Sequence, residues 1–245
     1  MKKIQKSIFL AFITLFFITA CNSASSDAKK VEVKKAVETT QANTDSSDQQ
    51  QVADVNNDEF KDGVHFVEIF PEMQTDASPG KVEVIELMWL GCPHCYHLEP
   101  LMLEYKKNHP DFVEFKQVPA MLNPSWAADA NTFYIADMLD PMGEKDLITR
   151  IFQSIHDQKR RLNDPDAVTR FFVQQGYTEK QVNAVKGSMA YQAKLRRAQE
   201  IGAAAQAQSV PTLIINGKYR TSPYMAGGNE QVMKILDMLT ERENK

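Results

Sequence analysis

Cysteine is scarce in this chain: 245 residues hold three, Cys21, Cys92 and Cys95. Three sulfurs exclude a small fold stapled by several disulfides and leave no second Cys pair for a four-ligand zinc site. An excess of basic charge is missing too. The net charge is −4, and a nucleic-acid partner would ask for a basic face, so none is expected. Long apolar runs are also absent. The longest, Ile8 to Phe17, has ten residues with one Thr, too short for a membrane span of about 20. Residues 22–59 contain no Gly, Pro, Leu, Ile or aromatic residue at all, so they cannot bury enough apolar surface to offset the entropy of ordering.

What is present at the start reads as a secretory signal over residues 1–20: Lys2, Lys3 and Lys6, the apolar run, then Ile18-Thr19-Ala20-Cys21. That tetrapeptide resembles a bacterial lipobox, whose Cys becomes the lipidated first residue of the mature chain, so Cys21 is the expected lipidation site. Plain cleavage after Ala20 is the alternative. Loss of three lysines and no acid takes the charge from −4 to −7. Asn22 follows, not an Asp, which leaves the leaflet open and mildly favours the outer membrane. Residues 21–59 then read as a disordered tether, with a coil reach on the order of 35 Å.

The folded part is expected from residue 60. Gly63 to Ile69 reads as a short strand and Lys81 to Trp89 as a strand buried on both faces. Cys95 to Asn108 has helical spacing, with Leu98, Leu101, Met102 and Tyr105 on one side. Asp111 to Val118 reads as the next strand, completing a βαβ unit over 60–122. Residues 123–208 carry no strand signal. They read as a helical insert, marked by Asn123-Pro124, Asp164-Pro165, a stop at Gly176, a Thr178-x-x-Gln181 capping box and an Ala-rich helix over 189–208. Over 209–245 a strand through Ile215, an Asn216-Gly217 turn, a second strand over Lys218 to Arg220 and a helix capped by Asn229 form a ββα unit. The fold class is α/β.

Cys92-Pro93-His94-Cys95 follows the buried strand directly. Four uses fit two Cys three apart. A structural disulfide closes too small a loop to stabilise much. Zinc would need more than Cys92, Cys95 and His97. Haem attachment asks for His where Tyr96 stands. Redox chemistry fits best. At a helix N-terminus, free N–H groups and the helix dipole favour a thiolate on Cys92, and His94, which can add positive charge or a hydrogen bond, is expected to set the direction. A stabilised thiolate leaves well and favours the reduced form, which makes the disulfide oxidising. Cys92 is then the exposed nucleophile and Cys95 the buried resolving partner. Pro93 fixes φ early in the helix.

The chain from about 60 to 242 resembles the DsbA family of thioredoxin-fold proteins. The resemblance rests on Glu86 six residues before Cys92, on Cys92-Pro93-His94-Cys95-Tyr96, on the helical insert and on Val210-Pro211 before the hairpin. It implies a thioredoxin fold and protein thiol:disulfide exchange in the periplasm, chiefly as an oxidase. It also implies that Glu86 exchanges protons with Cys95 together with a lysine of the next strand, for which Lys116 is the matching position. Pro211 is implied to be cis and packed on the dithiol, leaving the Val210 backbone to pair with substrate peptide. Val at this place is the family's usual choice in oxidases. The redox-active disulfide Cys92–Cys95 would be the whole redox equipment, with no cofactor or metal. Reduced unfolded secreted proteins would be the substrates and a DsbB-type membrane protein the reoxidase. Residues 22–59 are too polar for the dimerisation domain of dimeric isomerases, so a monomer is expected. A reductase or isomerase on the same fold, or a lipid-anchored binding or chaperone module, are the alternatives.

Overall fold

The computed structural model describes residues 60–245 apart from 163. The signal, Cys21 and the tether lie outside the described residues.

Five strands form one sheet in the order β1-β5-β4-β2-β3. Its centre is β2, Val82–Met88, whose seven residues are all buried. The β-branched and apolar run VEVIELM suits a strand covered on both sides. It pairs in parallel with β3, Val113–Pro119, and antiparallel with β4, Thr212–Ile215. Beyond β4 lie β5, Tyr219–Thr221, and β1, Phe66–Glu68, both antiparallel to their neighbours. The β4–β5 turn needs positive φ at Asn216 (50°) and Gly217 (67°), the twist that matches a two-residue hairpin. Gly217 is also forced by space, because a Cβ there would sit 2.4 Å from the Met73 carbonyl oxygen.

One sheet face carries Val82, Val84, Val113, Leu213 and Ile215 against Leu98, Met102 and Tyr105 of α1, Pro93–Asn108, and against the C-terminal helix. On the other side Ile85, Leu87 and Ile214 pack with the helices inserted between β3 and β4. Those helices are α2, Pro124–Leu139; α3, Leu147–His156; α4, Pro165–Gln174; α5, Glu179–Lys186; and α6, Met189–Ala204. Side-chain caps start most of them. Asn123 accepts from the backbone of Ser125 and Trp126, Asp164 from Ala167 and Ser188 from Tyr191, and Thr178 forms a full capping box with Gln181.

Three local expectations change. The first strand is shorter than 63–69, because residues 61–65 turn on themselves, with His65 N–H bonded to the Lys61 carbonyl at 2.9 Å. The Ala-rich helix stops at Ala204, since Gln206 takes φ of 51°. The final helix is α8, Asn229–Glu243, capped by Gly228 and not by Asn229. Gly228 adopts φ of 151°, open to glycine, which places Asn229 inside the helix with its amide directed to the His97 carbonyl. A short helix α7, Pro223–Ala226, precedes it, capped by Ser222.

Candidate active site

Strand β2 ends at Met88, and the chain turns through Trp89, Leu90 and Gly91, closed by Cys92 N–H bonded to the Trp89 carbonyl at 2.9 Å. Cys92 is the N-cap of α1, in the extended conformation that caps require. Its sulfur therefore stands where a serine or aspartate oxygen commonly does. The Cys95 N–H points at it from 3.4 Å. Both thiols are free.

The Cys95 thiol and the helix start together decide which sulfur ionises. The Cys95 thiol, as a donor to the Cys92 sulfur, is the largest influence holding Cys92 down; the backbone N–H groups of Cys95 and His94 add to it, the charge of His94 adds less, and burial opposes them. The balance brings Cys92 to about 6 from an ordinary 9.0. Cys95 moves the other way, pushed far up by burial first and then by the Cys92 sulfur and Glu86. His94, expected to set the direction, is thus the minor contributor beside the neighbouring thiol and the helix start. The expectation of an exposed nucleophile is also modified. Cys92 keeps 6% of its surface accessible and Cys95 none, so Cys92 is the reachable sulfur but a recessed one.

What recesses it is the loop before β4. The Val210–Pro211 bond is cis, and the Val210 carbonyl accepts from the Cys92 thiol at 3.6 Å. Ladder pairing of β4 begins after this point, at Leu87↔Thr212. The Val210 backbone thus borders the sulfur at the end of the sheet, before its strand has joined the ladder.

Behind Cys95 lies a buried acid pair. Glu86 of β2 is fully buried and Glu99 of α1 is 2% exposed. One amide bridges them: Gln117 Nε2 donates to Glu86 Oε2 and to Glu99 Oε2, each at 2.9 Å. Thr149 adds a longer bond to Glu99 at 3.4 Å, while Glu86 Oε1 has no partner. Burial is the main reason that both carboxyls titrate high, Glu86 near 8 and Glu99 near 7; for Glu86 the neighbouring Glu99 adds to the lift. Both stay largely protonated at pH values where ordinary carboxyls are charged.

The lysine expected beside Glu86 is not there. In the β2–β3 register Glu86 faces Gln117, and Lys116 faces Ile85. Successive side chains of a strand point to opposite faces, so Lys116 lies across the sheet from Glu86. It pairs instead with buried Glu83 at 2.5 Å and with Asp76 at 3.7 Å, and Asp76 is held in turn by Arg197 at 2.7 Å. Lys116 is therefore a structural partner of Glu83 and not a member of the acid site; the position belongs to Gln117. Glu99 was missed, although its signal was available. It stands one helical turn after Cys95, within the stripe of Leu98 and Met102 that faces the sheet.

A cleft of about 570 Å³ approaches this pair from the side of β3 and the insert, with Glu99, Gln117, Phe115 and Lys106 among its walls. Neither sulfur nor Glu86 is among its walls. On the front, the Trp89 ring stacks on Trp126 at 4.6 Å and 13°, and its Nε1 donates to buried Asp129 at 2.6 Å. The ring lies over Gly91, where a Cβ would come within 2.4 Å of it. Among the described residues no cluster of three or more His, Cys, Asp or Glu side chains could hold a metal ion.

Residues 89–240 match the DSBA-like thioredoxin domain family. The chain is similar to the thiol:disulfide interchange protein DsbA of Pseudomonas aeruginosa, 33% identical over 187 residues, which span 76% of this chain and 87% of that protein. It is similar to the DsbA of Azotobacter vinelandii at 34% over 186 residues, 76% of this chain and 85% of that one. The crystal structure of P. aeruginosa DsbA superposes with a TM-score of 0.71 at 31% identity, covering 76% of this chain and 95% of the other.

Proposed function

Because the chain belongs to the DsbA family and is a thiol:disulfide oxidoreductase, we propose that it works chiefly as an oxidase, with Cys92–Cys95 as its own redox group and Cys92 as the sulfur that carries substrate. The observation that supports this most is the cap. A sulfur that accepts from the Cys95 N–H and titrates near 6 is a good leaving group, and a well-stabilised thiolate favours the reduced protein and so an oxidising disulfide.

A substrate thiolate attacks Cys92 Sγ of the disulfide; the Cys92–Cys95 bond breaks and a mixed disulfide forms. Cys95 leaves as a thiolate in a site that strongly favours its thiol, and it takes a proton, for which protonated Glu86 is the nearby source. The second substrate thiolate attacks the substrate sulfur bound to Cys92. Cys92 departs as a thiolate, the substrate gains a disulfide and the protein holds the two electrons. The cleft lined by Glu99 and Gln117 brings solvent next to the amide that holds Glu86. The Val210 backbone beside the sulfur suits pairing with an extended substrate segment.

The family and the leader support a reading of partners and place. Reduced, unfolded secreted proteins are the substrates and a DsbB-type membrane protein the reoxidase. The protein works in the periplasm, tied to a membrane through acylated Cys21 and the polar tether. An unmodified N-terminus at residue 21 in a mass spectrum would remove the anchor from this account. The oxidase reading is tested with a reduced, unfolded dithiol protein: the oxidised chain should form its disulfides, and Cys92→Ser should not. Equal oxidation by the variant would refute it.

A further inference from the structure

His156 belongs to no motif, and by sequence it is 64 residues from Cys92. In the fold it ends α3 against Leu90 and Tyr96, on either side of the dithiol in sequence. Its Nε2 lies 2.8 Å from the Leu90 carbonyl. A carbonyl only accepts, so Nε2 carries the proton. Leu90 is 1% exposed, and its carbonyl has little access to water as a substitute donor. The imidazole also lies parallel to the Tyr96 ring, 4.9 Å away at 8°, with Phe152 packed 5.8 Å from each. The next residue of the insert takes hold as well: Tyr96 Oη donates to Asp157 at 2.8 Å.

These contacts grip the chain on both sides of the reacting sulfur. Leu90 comes two residues before Cys92, and Tyr96 follows Cys95. Tyr96 N–H itself donates to the Cys92 carbonyl at 3.1 Å. Between the two grips lie the turn bond from Cys92 N–H to Trp89 and the bond from Cys95 N–H to the Cys92 sulfur.

We propose that His156 is a positioning residue for the nucleophile: its Nε2–H bond to the Leu90 carbonyl, backed by the stack on Tyr96, fixes segment 90–96 so that the Cys95 N–H stays aimed at the Cys92 sulfur. The inference rests on Cys92 being the nucleophile. Without the bond, a buried carbonyl loses its donor, which is costly. The turn relaxes toward another partner, and the bond to sulfur, already 3.4 Å, lengthens first.

The test titrates Cys92 in the reduced protein by thiolate absorbance and measures the equilibrium constant against glutathione. His156→Phe keeps the ring stack and removes the bond. It is expected to raise the titration midpoint by about half a pH unit or more and to shift the equilibrium about threefold or more toward the disulfide. His156→Gln retains a donor and should move both by less than half as much. Phe at the wild-type values would overturn the proposal even if the variant melts lower, and so would a Gln shift as large as that of Phe. If neither variant folds, nitrogen NMR of the wild-type imidazole decides: protonation at Nε2 is expected, and protonation at Nδ1 overturns it. A wild-type Cys92 that titrates like an ordinary cysteine would instead sink the nucleophile assignment, so the two failures are distinguishable.

Discussion

Glu86→Leu is expected to raise stability at pH 7 and slow the chemistry in one and the same variant. Glu86 is fully buried, and one of its carboxyl oxygens has no partner. Burial, with the Glu99 carboxyl beside it, moves its titration from 4.5 to about 8. Between those values the unfolded chain has released a proton that the folded chain retains. The folded state therefore binds more protons, and stability falls as pH rises across this window. At pH 7 about 2.5 of these pH units have been traversed, which corresponds to about 3 kcal/mol. A leucine fills similar volume without a polar group to desolvate, and the carboxyl oxygen it removes has no partner in the fold. The variant should gain about 2–3 kcal/mol at pH 7, or roughly 4–12 °C in Tm for a domain of this size. At pH 4.5 the gain attributable to ionisation should shrink below about 1 kcal/mol. Unfolding of the reduced proteins by urea, from pH 4.5 to 8, measures the gap directly. Meanwhile protonation of departing Cys95 loses its source, and substrate oxidation should slow by roughly tenfold or more. A variant no more stable than wild type at pH 7, or a gap independent of pH, would refute the reasoning.

Alkylation of the reduced protein should follow the Cys92 thiolate, with a midpoint near pH 6: about nine-tenths of full rate at pH 7 and about one-tenth at pH 5, whereas a midpoint near 9 would contradict the cap. The same depressed value makes the thiolate stabilise the reduced fold fully above the unfolded pKa, a contribution lost as pH falls through 6; unfolding of the reduced protein against pH, relative to Cys92→Ser, reads it. Cys95→Ala, offered a protein disulfide, should hold one of its sulfurs on Cys92 as a mixed disulfide while the other leaves as a thiol, and peptide mapping that finds the mixed disulfide elsewhere would reverse the roles. Gly91→Ala should push the Trp89 ring off Trp126 and Asp129, at about 1–3 kcal/mol of stability, with altered tryptophan emission; unchanged emission and Tm would contradict the contact.

Particular residues show what was legible in the sequence. The apolar run of β2, the stripe of α1 and the Asn216-Gly217 turn are local signals, and local physics carries them into the fold. The two cysteines and Val210 are far apart in sequence, and only the resemblance to a family joined them beforehand. Lys116 shows the limit of such transfer. A strand alternates faces with each residue, so an offset of one exchanges the site for the opposite face, and the register that decides between Lys116 and Gln117 is set by pairing with β2. Glu99 was readable from helical spacing once α1 was placed, but a glutamate within an apolar stripe is easily passed over as surface. His156 was not readable: its partners, Leu90 and Tyr96, lie across the insert, and no spacing within α3 announces them.

Direction of electron flow is the central claim, and the reduction potential of the Cys92–Cys95 couple tests it most directly. Equilibration with glutathione, read by the fraction of protein in the disulfide form, gives the value. A thiolate held near 6, about one unit below the thioredoxin thiol, predicts a couple more oxidising than thioredoxin by at least about 30 mV. A potential near that of thioredoxin, about −270 mV, would contradict the account.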